Sequence, residues 1–185
     1  FRQGGLLCYY LRENFTINSN TAWYLPTSGK KPTFMAEIGA HLAILNSNAP
    51  AHMSEEEASL DLFNPATLRS SPHIRPTSTI PLGHLVAQGV AVTEGGNILI
   101  GVERPEASML TVSLTQPVQQ AVERVDAVQG VEHGISNVYA FRNVAVVMDQ
   151  SQLLYVNHLT GEQFSNVTEI IGTITASTLF GQDLY

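Results

Sequence analysis

Cysteine, lysine and charge in general are scarce in this chain. Cys8 is the only cysteine among 185 residues, which excludes an internal disulfide framework and a multi-cysteine zinc site. Lysine occurs only as the Lys30 and Lys31 pair, and 9 Lys and Arg face 16 Asp and Glu, for a net charge of -7. A phosphate backbone is held by clustered cations that release counterions, so the absence of a basic stripe argues against nucleic acid as a partner. No apolar run approaches the roughly 18 residues of a membrane span, and no basic segment followed by an apolar one marks a signal peptide, so the chain reads as soluble. Its start at Phe1 rather than Met is expected of a processed or excised chain.

Catalytic signatures are missing as well. There is no GxSxG nucleophile elbow, no GxGxxG after a strand and no GxxxxGK[ST] phosphate loop. The six histidines are scattered without HExxH or HxH spacing, and neither a metal nor a cofactor is expected. Cys8, between Leu7 and Tyr9, reads as a small strand hydrophobe. The best acid–base candidates are Glu132 and His133 in the loop "QGVEHGIS", followed by Asp149 and His158. Asp149 closes the apolar run "VAVVMD" before a polar turn, where a carboxylate accepts local backbone hydrogen bonds, and His158 and Glu162 flank the next turn. Turn chemistry is the expected role of all three.

Apolar periodicity predicts an α+β fold: a mostly antiparallel β-rich domain, as a sandwich, a barrel or a helix-covered sheet, with two longer helices near 32–46 and 117–128. The first helix rests on Pro32 as its opening residue and on Phe34, Ile38, Leu42 and Leu45. The second rests on Pro117 and an apolar face of Val118, Ala121, Val122, Val125 and Val128. Ser54 with Glu57 resembles a capping box for a short helix to Leu62, and Asn64–Pro65 restarts a brief turn through Leu68. Strands are expected at "LLCYYLRENFTI" and "TAWYLPT" around an "NSN" turn, on either side of Gly95–Gly96, at "MLTVSLT", and through the meander from Val138 to Val167.

The organisation expected is an N-terminal hairpin and helical segment over 1–70, an extended proline-rich connector over 71–81, and a β-rich part over 82–185, together one compact unit. The stretch "QLLYVNHLTGEQF" resembles the strand–turn–strand that closes a blade of a quinoprotein-type β-propeller, with "TGE" as its tight turn. It occurs once, and a chain of this length that spends residues on two helices is not expected to supply several blades, so the match reads as hairpin chemistry.

These absences, with the uncharged polar surface, point to a non-enzymatic structural or assembly protein, such as a virus or phage capsid, cement or decoration component. Its partners would be copies of itself or other shell proteins, and its location a virion or the extracellular space. The expected contact residues are Ser70, Ser71, Pro72, His73, Ile74, Arg75 and Pro76 in the connector, read as an inter-subunit strap, and Trp23 and Tyr24 in the aromatic hairpin. A binding module excised from an extracellular protein is the alternative, supported by the sequons at Asn14 and Asn166. An enzyme using Glu132 and His133 is the other.

Overall fold

The computed structural model describes residues 5–11, 16–28, 31–48, 56–68, 74–169, 179–180 and 183–184. Among them the chain is all β, and the helical pieces are single 3₁₀ turns at Pro65–Thr67 and Val118–Gln120. An antiparallel hairpin of β1 (Gly5–Leu11) and β2 (Ile17–Pro26) comes first. Three four-stranded antiparallel sheets follow. The first contains β3 (Pro32–Ile38), β4 (His41–Asn46), β5 (Ala58–Phe63) and β6 (Ser78–Gly83). The second contains β7 (Val86–Val92), β8 (Ile98–Arg104), β9 (Ser108–Val112) and β10 (Val122–Ala127). The third contains β11 (Asn137–Phe141), β12 (Val144–Met148), β13 (Gln152–Asn157) and β14 (Gln163–Glu169). A short pair, β15 (Leu179–Phe180) and β16 (Asp183–Leu184), ends the chain.

Each large sheet runs up and down in chain order, and the first strands are mutual neighbours, β3 beside β7 and β7 beside β11. Sheets that touch through their first strands and pack face to face are arranged as consecutive blades of a β-propeller. β8 shows how one strand serves two such interfaces. Its Ile98, Ile100 and Val102 point toward the first sheet, among Ile38, Leu45 and Leu60, whereas Leu99 points toward the third, among Val138, Val147 and Leu154. Successive strand residues face opposite ways, so a strand covered on both sides must be apolar throughout, as "ILIGV" is. Each fully buried Ile or Leu contributes about 1.5–3 kcal/mol.

At Gly101 the second sheet comes close against the third. A methyl group there would lie 2.6 Å from the Gln88 carbonyl oxygen and 2.7 Å from the Val138 side chain. Gly101→Ala is expected to destabilise the fold by about 1–3 kcal/mol through overpacking, measured as a shift in denaturation midpoint. A change under roughly 0.5 kcal/mol would mean that the two sheets can part freely there.

Neither long helix exists. Residues 32–46 form the β3–β4 hairpin, turning at Gly39, whose φ of 57° is left-handed. A spacing of four satisfies a strand as well as a helix, so Phe34 and Ile38 point to one face by alternation. Leu42 falls on the opposite face, and Leu45 returns to the first one. Residues 117–128 make one 3₁₀ turn and then β10, in which Val122 is half-buried but Val125 is 60% exposed, contrary to a shared helical face. Their β-branched valines favour strands, and the open edge of β9 supplies the partner.

The short helix expected to reach Leu62 is likewise replaced by β5, an interior strand buried at all six positions. Ser54 of its capping box lies outside the described residues. The turn at Asn64–Pro65 does form, with the Asn64 side chain accepting from the Ala66 amide. The N-terminal hairpin also forms, but Asn18–Asn20 lie within β2 rather than at its turn. With neither expected long helix formed, the objection to several blades disappears. No helix among the described residues is long and apolar enough to cross a membrane.

Candidate functional site

The connector segment joins β5 to β6, which are neighbours in one sheet with Leu62 opposite Ser78. Ser70, Ser71, Pro72 and His73 lie outside the described residues. Ile74 packs on the small cluster of Leu25, Ile44 and Phe63 beneath the N-terminal hairpin, Arg75 is exposed, and Pro76 is half-buried. Pro81 sits in β6, an edge strand, where a missing amide costs no ladder bond. In β2, Trp23 pairs in register with Cys8, and Tyr24 is 50% exposed opposite Leu7. Burial raises the Cys8 thiol pKa, which leaves it a poor nucleophile. Asn166 of the second sequon is exposed on β14; Asn14 of the first is outside the described residues.

Glu132, His133 and Asp149 are brought together. Asp149 is completely buried at the turn from β12 to β13. Its Oδ2 accepts the backbone amides of Glu132 at 2.8 Å and His133 at 3.1 Å, and its Oδ1 accepts the Ser151 amide at 3.3 Å. Burial pushes this carboxyl pKa up, but the amides of His133 and Glu132, the Gln152 side chain and the Ser151 amide outweigh it and bring the pKa below the ordinary value. The His133 ring, half exposed, places Nδ1 3.3 Å from Asp149 Oδ1 and 3.4 Å from Ser151 Oγ. In a nucleophilic relay the acid and the hydroxyl bind opposite ring nitrogens. Here both approach Nδ1, so the arrangement fastens the 129–136 link between the second and third sheets to the turn of the third.

His158 serves in a similar way at the next turn. It is buried, with Nε2 2.6 Å from the Arg142 carbonyl oxygen, and its own carbonyl accepts from Arg124 Nη2. Arg124 also donates to the Leu159 carbonyl at 2.7 Å and pairs with Asp126 at 2.7 Å, which joins the outer edge of the second sheet to the "NHLTGE" turn of the third. Among the described residues no three His, Cys, Asp or Glu side chains converge as metal ligands would.

Two features escape a reading of the sequence. One is Asp61, fully buried on β5, whose carboxylate accepts from the Ser28 amide at 2.7 Å, the Ser28 hydroxyl at 2.5 Å, Asn46 Nδ2 at 2.9 Å and the Thr79 hydroxyl at 2.8 Å. It ties the end of the N-terminal hairpin to three strands of the first sheet. The other is the outer face of the third sheet. Tyr139, Val146 and Tyr155 form a row in register across β11, β12 and β13, flanked by Val144 and Leu153. All five are half-buried, and none belongs to a buried cluster among the described residues. The signal for this face is in the sequence: "VAVVM" and "LLYV" are apolar at both odd and even positions, the pattern of strands meant to be covered on two sides.

A scan against models of protein families matched none, and a search of curated proteins returned no match.

Proposed function

We propose that this protein is a non-enzymatic structural component that works by assembly, and that the outer face of its third sheet is a working surface. The observation that carries this reading is the half-buried apolar face of the third sheet, which belongs to none of the buried clusters among the described residues. An apolar sheet face that lies outside the protein's own core is a usual mark of a contact surface. The polar groups that resembled chemistry support the same reading, because Asp149 and His158 are occupied in holding links and turns. A surface with few lysines and a net charge of -7 suits a shell component, such as a capsid or decoration protein, set among many neighbours.

Sedimentation velocity over a concentration series tests the reading. Association beyond the 20.1 kDa monomer is expected as concentration rises. A monomer at every concentration, in low and moderate salt alike, would overturn it.

A further inference from the structure

We infer that a cavity between the first and second sheets binds a guanidinium group, carried by an arginine side chain or by free arginine, on the backbone of the β9–β10 connection. The inference is independent of the assembly reading and rests on two corresponding places in the chain. Between the second and third sheets, Arg124 of β10 reaches the turn after β13, where its guanidinium donates to the carbonyls of His158 and Leu159. That turn opens on Asn157, whose side chain accepts the Leu159 amide two residues on and whose own amide donates to the Glu162 carbonyl. The connection after β9 opens in the same way. Ser113 accepts the Thr115 amide two residues on, and its own amide donates to the Ala121 carbonyl. Leu114 and Thr115 therefore stand where His158 and Leu159 stand one sheet later.

Strand register supplies the other half of the comparison. Arg124 is opposite Thr111, two residues before Ser113, and in the first sheet Ser78 is opposite Leu62, two residues before the equivalent turn residue Asn64. Residues directly opposite share a face, so Ser78 points toward the second sheet with Leu62, as Arg124 points toward the third. A serine is too short to cross. The region that the Arg124 side chain fills at one interface is, at the other, a cavity of about 270 Å³ lined by Ser78, Leu62, Ile80, Leu114, Gln116 and Val118 among others. Gln116 is exposed, which places it at the rim. Leu62, Ile80 and Val118 suit the methylene stem of an arginine, and the Leu114 and Thr115 carbonyls suit its planar fork of N–H donors, which a tetrahedral ammonium does not match. Asp126, the partner of Arg124, has Ile80 as its counterpart, so the cavity wall lacks that counter-ion, and a dissociation constant on the order of 1 mM is expected.

The test is a titration of the full chain followed by the amide resonances of Ser78, Leu114, Gln116 and Val118. Acetyl-arginine amide is expected to shift them saturably, and to bind at least about fivefold more tightly than acetyl-lysine amide, which carries the same charge without the fork. Ser78→Arg should abolish these shifts by placing the chain's own guanidinium in the cavity; Ser78→Met, which fills the same space without donors, serves should the first variant fold poorly. Free arginine, titrated in parallel, separates the sources: tighter binding of the capped form assigns the site to a side chain of a partner, and tighter binding of free arginine assigns it to the amino acid. No saturable shift at these four amides, equal binding of the lysine probe, or shifts that persist when residue 78 fills the cavity would overturn the inference and leave the assembly reading as it stands.

Discussion

Asp61→Ala is expected to lower stability by about 3 kcal/mol or more, a fall in melting temperature of roughly 6–12 °C for a chain of this size. Four donors converge on this carboxylate from Ser28, Asn46 and Thr79, and Asp61 itself is fully buried. Removing the acceptor takes a bond from each of these donors, of which Asn46 is buried, Thr79 half-buried and Ser28 exposed, and a buried donor left unsatisfied costs about 1–3 kcal/mol. Asp61→Asn keeps the shape but turns an amide toward donors, so most of the loss should persist. Thermal and urea unfolding of both variants measure it. A loss under about 1 kcal/mol for the alanine variant would mean that the hairpin is not anchored through this group.

The second large effect belongs to Asp149. Its folded pKa lies below the ordinary carboxylate value, so its contribution to stability is fully present above the unfolded value of about 4 and is lost as pH falls through the folded value. Wild-type stability should therefore decline below about pH 4, and Asp149→Asn should flatten that part of the profile. At neutral pH the same variant should speed hydrogen exchange at the amides of Glu132 and His133 by about 10–100-fold, since a hydrogen bond to a charged group contributes about 1.5–3 kcal/mol. Unaltered exchange at both amides would contradict the role assigned to this carboxylate.

Much of the local structure was legible. The Gly95–Gly96 hairpin, the meander from Val138 onward and the Asn64–Pro65 turn follow from turn chemistry and alternation, both of which are local. The helices were misjudged because a spacing of four residues cannot separate the two periods. Phe34 and Ile38 fit either one, and only the burial of Leu42 and Leu45 on opposite faces decides. The glycine at the centre of the supposed helix was the contrary signal, since Gly39 is where the hairpin reverses.

That error hid the architecture, because two helices leave too little chain for repeated four-stranded units. The Asp61 cluster was illegible for another reason: Ser28, Asn46, Asp61 and Thr79 are 15 to 33 residues apart wherever Asp61 bonds them, and only the pairing of β4, β5 and β6 brings them together. Glu132, His133 and Asp149 did converge, yet the direction of the hydrogen bonds gives the carboxylate to the backbone of the link.

Small-angle scattering on the purified protein over a concentration series tests the central claim, that it works by assembly, most directly. The account predicts particles heavier than the chain's 20.1 kDa as concentration rises. A scattering mass of one chain at every concentration would contradict it.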